Sequence, residues 1–257
     1  MNDSPSKLKG LMWVAAAVIL GVIFALGLSP LAHVIPWSWE KKAGQLFVSN
    51  NVCHSNPQAQ VLLLRVVKRI YPVSADDAVF SVDVRVVKDP AVNAYAGLGG
   101  NIAVNSGLLK QAESPEELAG VLAHEIGHVQ HRDILEGVIA HLLTARGIDL
   151  IFGGHSSAAQ WSQYFLNMNF TRTQEAQADE EGLKRLQASH VDNRAFSDFF
   201  ERLEKSGSVP VFLSDHPANH ARSEMAAKFD NKGAIPIMNR EEWLVLKNYC
   251  GKNGSVF

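Results

Sequence analysis

Residues 124–128 read His124-Glu125-Ile126-Gly127-His128, and their types and spacing describe a hydrolytic centre. On a helix, residues four apart share a face about one turn from each other, so both imidazoles can reach one metal ion. Glu125, beside them, is placed to take a proton from a water on that ion, which is metal-assisted hydrolysis. Three fixed residues also occur by chance on many helices, so the pattern needs a setting. Catalytic zinc sites usually have three protein ligands and an open fourth position. Two histidines therefore require a third ligand from elsewhere in the chain.

One known spacing places a third histidine six positions after the second, with a glycine midway. Ile134 and His131 occupy those places, so that version fails. His131 shares the face of His124 and His128 but reads better as a hydrogen-bonding or surface histidine. The better candidate is Glu175 in Glu175-Ala176-Gln177-Ala178-Asp179. Glu175 and Asp179 are four apart and share a helix face. Metal-bound histidines usually pass their other N–H to a carboxylate, so this pair would supply a ligand and an orienting partner from one helix. Ala178 and Gly182 lie near that face, and small side chains let two helices approach closely. The competing reading is a solvated acidic stretch, which describes the adjacent Glu180 and Glu181.

The elements that must position these residues are also legible. Ser114-Pro115-Glu116-Glu117 is a helix start, with Ser as N-cap, Pro at the first helical position and Glu at the third. Leu118, Val121, Leu122, Ile126 and Val129 then recur at helical spacing and predict one buried side. Val82, Val84 and Val86 alternate with Asp83 and Arg85 as a strand does, and residues 101–105 follow paired glycines as a second short strand. Residues 153–160 are rich in Gly, Ser and Ala and predict a linker between an apolar helix around residues 134–151 and the Glu175 helix. Arg146 and Asp149 make residues 142–152 a core or interfacial helix and not a membrane span.

Residues 11–28, beginning at Leu11 and ending at Leu28, form an uncharged apolar run of 18 residues after Lys7 and Lys9. As a helix the run spans roughly 27 Å, close to a bilayer's hydrocarbon core. Trp37 and Trp39 follow, as interfacial aromatics often do. The run exceeds the apolar part of a usual signal peptide, about 7–15 residues, so an uncleaved anchor reads better than a cleaved leader. Residues 1–39 are thus expected to be tail and anchor, and 40–257 one catalytic domain. Lys41 and Lys42 balance Lys7 and Lys9, so charge barely sets orientation. A short basic tail inside and a large exported domain is the commoner arrangement, which places the domain on the extracytoplasmic side of a cell envelope. A secreted periplasmic protein and a mitochondrial inner-membrane protein are the alternatives. Cys53 and Cys250 are either one disulfide tying both ends of the domain or two buried thiols. The charge balance, 24 Lys+Arg against 26 Asp+Glu, is near neutral and shows no basic stripe, which argues against a nucleic-acid partner.

From about residue 56 to 228 the chain resembles the HtpX-like and CAAX-prenyl-protease-like zinc metallopeptidases, membrane-linked gluzincins. The residues that carry the resemblance are Asn93-Ala94-Tyr95, then Gly99 to Val104 with Gly107-Leu108-Leu109, the 124–128 string, Glu175 with Asp179, and Ser214-Asp215-His216-Pro217 with Arg222. Tyr95 stands where Phe is usual and Leu98 where Pro commonly precedes the glycines; both bear on substrate preference more than on activity. The resemblance implies a mostly helical α+β gluzincin fold with a small β-sheet, and the apolar run 11–28 would place one transmembrane helix before it. It implies one Zn2+ held by His124, His128 and Glu175, with Glu125 as base, and Asp179 and Arg222 supporting the site. His216 either stabilises the tetrahedral oxyanion or covers the open zinc position, unless it is only a turn residue before Pro217. A strand bordering the cleft is expected to pair with an extended peptide through Asn93, Asn101, Ile102 and Ala103. The implied activity is a metalloendopeptidase cleaving unfolded or damaged envelope polypeptides. A zinc-containing scaffold that only holds extended segments would not need Glu125, and a prenyl-protein protease would have many membrane spans.

Overall fold

The computed structural model describes residues 29–45, 51–53, 57–72, 80–142, 164–165, 168–205, 220–229 and 233–251. In chain order these form α1 (Ser29–Val34), α2 (Trp37–Gln45), α3 (Pro57–Ile70), β1 (Asp83–Val87) and β2 (Ala94–Ala96). A 3-10 turn (Leu98–Gly100), β3 (Asn101–Asn105), α4 (Ser106–Gln111), α5 (Pro115–His131), α6 (Asp133–Leu142), α7 (Arg172–Ala188), α8 (Arg194–Lys205), α9 (His220–Ala227) and α10 (Arg240–Lys247) complete them. The described residues are mostly helical with one small sheet, as the resemblance implies. The apolar run 11–28, the linker 153–160, most of the stretch 142–152 and the His216 segment lie outside the described residues. Among the described residues no helix is long and apolar enough to cross a membrane.

The helix expected to carry the metal-binding string is α5. Ser114 Oγ accepts the Glu117 N–H at 3.2 Å, with Pro115 at the first position. The Glu117 carboxylate does not reach back to Ser114; it accepts the Glu113 N–H at 2.8 Å and is gripped by Arg202 of α8 at 2.7 and 2.8 Å. An ionic partner holds it where a capping bond was expected. Burial also differs from the expected single side. Leu118, Val121, Leu122 and Ile126 are buried, but so are Ala119, Gly120 and Ala123 between them. The reason is position: α7, α8, α3 and β2 all pack on α5, so it is a central helix enclosed all round. Phe196, Phe199, Phe200 and Leu203 form the buried face of α8, and Gly120 admits Phe196, whose Cβ would lie 2.8 Å from a Cβ at position 120.

The sheet has the order β1-β3-β2, with β1 parallel and β2 antiparallel to β3. This corrects the expected substrate edge at Asn101, Ile102 and Ala103. Ile102 pairs with Val84 on one side and Ala96 on the other, so the backbone of β3 has no open edge, and the Ile102 side chain is core. The Asn93 carbonyl accepts the Asn105 N–H at 3.0 Å, and the Asn101 side chain donates to Leu98 O at 2.7 Å, closing the glycine turn. The outer side of β1 is met by residues 51–53 through Cys53 N–H to Val86 O at 2.8 Å. Among the described residues β2 has a strand neighbour on one side only.

The Trp37 ring packs edge-on against Phe80 at 5.1 Å, whereas Trp39 is 67 % exposed. Residues 37–45 form one helix across the division expected at 39/40, because α2 docks on the Leu98–Gly100 turn. Cys53 and Cys250 are joined, with Cα atoms 5.2 Å apart across 197 positions of sequence, and the bridge fastens the rim of β1 to the end of α10.

Candidate metal centre

The site lies where α5 crosses α7, and two glycines set how close the helices come. A Cβ at Gly127 would sit 2.9 Å from the Cα and O of Ala178, and one at Gly182 would sit 3.1 Å from the His124 nitrogen. The start of α7 is fixed by a capping box, in which Thr171 Oγ1 accepts the Gln174 N–H at 3.3 Å and Gln174 Oε1 accepts the Thr171 N–H at 2.9 Å. Glu175 follows at once, and its side chain points into the crossing, 6 % exposed.

His124, His128 and Glu175 meet there with one ligand atom each, all within 4.8 Å of one another. The two Nε2 atoms are 3.2 Å apart, and Glu175 oxygens lie 3.4 Å from His128 Nε2 and 3.7 Å from His124 Nε2. Ligands at about 2.0–2.1 Å from a tetrahedral ion stand about 3.3–3.4 Å from each other; the two shorter spacings are near that value, and the 3.7 Å one is to the other Glu175 oxygen. The far nitrogens are committed. His124 Nδ1 donates to Asp179 at 2.8 Å and His128 Nδ1 to Asp133 at 2.8 Å, which turns both Nε2 atoms inward. His124, Glu125 and His128 are fully buried, and Asp133 and Asp179 are each 3 % exposed.

The electrostatics favour a positive charge between the rings. Burial opposes ionisation of His128, yet its bonds to Asp133 and Glu175 and the fields of Glu175 and Glu125 together push its pKa up to about 10. His124 moves the other way, lowered chiefly by burial and by its charged neighbour against the pull of Asp179 and Glu175.

Of the expected residues, the structure brings His124, Glu125, His128, Glu175 and Asp179 together. His131 is not in the ligand group and lines a polar hollow with His33, Asp133 and Glu136. Arg222 lies on α9, and His216 is outside the described residues. Two participants escape a reading by spacing. Asp133 holds His128 from the first turn of α6, and Phe170 stacks on the His128 ring with centroids 3.9 Å apart and planes 17° apart. Asp133 lies two residues past the helix end at His131, and it folds back on that helix because Arg132 leaves it with φ 61°.

Comparison with known proteins agrees with this geometry. The chain is 35 % identical over 151 residues to the mitochondrial metalloendopeptidase OMA1 of Arabidopsis thaliana, covering 57 % of this chain and 31 % of the relative. It is 30 % identical over 188 residues to the OMA1 of Schizosaccharomyces pombe, covering 70 % and 51 %. It is 29 % identical over 181 residues to the β-barrel assembly-enhancing protease of Yersinia pestis, covering 63 % and 37 %. The chain thus spans about a third to a half of the length of these relatives. The sequence profile of peptidase family M48 matches residues 57–229, a stretch that contains α5, α7 and all three metal-ligand candidates, and the chain belongs to that family.

Proposed function

We propose that this member of the family is a zinc metalloendopeptidase of the gluzincin type, with Zn2+ held by His124, His128 and Glu175. The observation that carries the reading is the convergence of those three ligand groups, one atom from each within 4.8 Å of the others, with the fully buried Glu125 between the histidines in sequence. Bound there, zinc would polarise the scissile carbonyl and bring the pKa of a coordinated water to about 7. Glu125 takes the proton from the attacking water and returns it to the departing amine. Asp179 and Asp133 hold the two imidazoles in the tautomer that presents Nε2, and Phe170 fixes the plane of His128.

The peptide is held along β2. Asn93 O accepts from Asn105 and Gly97 N–H donates to Asn101 O, so by antiparallel alternation the backbone groups of Ala94 and Ala96 face away from β3. An extended substrate adding to that edge gains main-chain bonds with little side-chain selection, which suits unfolded polypeptides. The HtpX-like and prenyl-protease-like affinities rest on motif order alone, and endopeptidase action is favoured by the relatives' names. The Cys53–Cys250 bridge supports a domain in an oxidising compartment, and the apolar run 11–28 supports attachment to a membrane facing it. Damaged or unfolded envelope proteins are then the substrates within reach. The test is digestion of unfolded casein by the purified chain: cleavage that stops with a chelator and returns with zinc is expected. A zinc-replete chain that leaves casein intact would refute the endopeptidase reading and leave a scaffold that holds segments without cutting them.

A further inference from the structure

Glu40 of α2 and Arg132 form an ion pair buried from both sides, 3 % and 5 % exposed, and 92 residues apart in sequence. Glu40 Oε2 accepts from Arg132 Nε at 2.9 Å and from Nη2 at 2.6 Å, while Oε1 accepts the Gly99 N–H at 3.1 Å. Arg132 Nη1 donates to the Ile35 carbonyl at 2.5 Å, and its guanidinium lies 5.9 Å from the Trp37 ring centroid. Such a pair gives little net stability, because desolvating two charges offsets their attraction. It does fix geometry, and the geometry at Arg132 is unusual.

Arg132 caps α5 in the left-handed conformation, with φ 61°. For a residue with a side chain this conformation is unfavourable, so something must hold it there. The turn has a purpose one residue later. Asp133 opens α6, and its carboxylate accepts from His128 Nδ1 at 2.8 Å. A single line of contacts therefore runs from Glu40 through Arg132 and Asp133 to a metal-ligand candidate. The Glu40 carboxylate also pins the Gly99 turn, where φ is 69° and a Cβ would lie 2.7 Å from the Cα of Lys41.

We propose that Glu40 is a positioning residue for the metal centre: by holding Arg132 in its left-handed turn it presents Asp133 to His128. The inference rests on the zinc reading above. It makes α2, the helix that follows the N-terminal apolar run and α1, part of the machinery and not only a tether. Without the carboxylate the buried guanidinium has lost its charge partner, the turn relaxes, and Asp133 moves off His128.

The experiment compares the full chain with Glu40→Gln, Asp133→Asn and Asp179→Asn, singly and in pairs. The readings are zinc affinity by chelator competition, the absorption spectrum of the Co2+-substituted protein, and thermal unfolding of the metal-free protein. Removing a direct partner of a ligand weakens metal binding about 10- to 100-fold, and Glu40→Gln, one link further out, is expected to weaken zinc about fivefold and to shift the Co2+ bands. The loss should vanish in the Asp133→Asn background, where the line is already cut. It should persist in full beside Asp179→Asn, which acts on His124 from another helix. If Glu40→Gln does not fold, Glu40→Gln with Arg132→Gln, which leaves no lone buried charge, carries the same measurements. Wild-type zinc affinity and an unchanged Co2+ spectrum in a variant that is merely less heat-stable would overturn the proposal. So would equal losses in the Asp133 and Asp179 backgrounds. A wild-type chain that takes up no zinc would overturn the zinc reading and this inference with it.

Discussion

Replacing Gly127 by alanine adds one methyl group at the point where α5 and α7 touch. Its carbon would stand 2.9 Å from the Cα and the carbonyl oxygen of Ala178. Relaxed carbon contacts lie at about 3.5–4.0 Å, so α7 must retreat by about 0.6 Å or more, and backbone atoms have no rotamer by which to step aside. Glu175 rides on α7 three residues before Ala178, and ligand distances in metal sites tolerate only about ±0.2 Å. The retreat is therefore about three times what the coordination allows. Overpacking of this kind costs about 1–3 kcal/mol. If that strain is relieved by moving Glu175, zinc affinity falls by about 5- to 150-fold at about 1.4 kcal/mol per decade. The assay is competition with a chromophoric chelator, alongside thermal unfolding of the metal-free protein. Gly97→Ala is the control, since a Cβ there meets nothing closer than 3.6 Å. Zinc binding within twofold of wild type in Gly127→Ala would refute the claim that the glycine contact sets the ligand spacing.

Asp133→Asn and Asp179→Asn should each weaken zinc about 10- to 100-fold while the fold persists, read by the same competition; an unaffected Asp133 variant would show that its bond to His128 is incidental. In the metal-free protein, His128 gains its proton affinity on folding, with a folded pKa of about 10 against an ordinary 6.5. Its contribution is fully present below pH 6.5 and is lost as pH rises from there to about 10, so denaturant midpoints of metal-free wild type should fall across that window relative to His128→Asn, and zinc affinity should rise. Reducing Cys53–Cys250, or Cys53→Ser, should lower stability by about 2–5 kcal/mol in chemical unfolding, because the bridge closes a loop of 197 positions. An unchanged midpoint would mean that the bridge does not constrain the unfolded chain.

How much the sequence discloses here depends on how local each feature is. Ser114, Pro115 and the string 124–128 are adjacent in sequence, and helical geometry alone converts them into a capped helix with two imidazoles on one face. Glu175 and Asp179 need only the rule that histidine ligands have carboxylate partners. Asp133 needs more, because its reach to His128 depends on Arg132 leaving the helix with φ 61°, which an arginine does only under tertiary constraint. The Glu40–Arg132 pair spans 92 residues, and no periodicity marks it. The strand edge is hidden in the sequence for a related reason: β2 is three residues long, too short to show alternation, yet it takes the side of β3 that two longer strands alone would leave open.

The central claim, that Glu125 performs the proton transfers of a zinc-dependent peptide hydrolysis, is tested most directly by metal analysis and casein cleavage on wild type and Glu125→Gln side by side. The amide is close in size to the carboxylate and leaves His124, His128 and Glu175 in place. The account predicts one zinc per chain in both proteins, with cleavage in the wild type and none measurable in the variant. Undiminished cleavage by Glu125→Gln, or full cleavage by a wild-type chain stripped of metal, would contradict it.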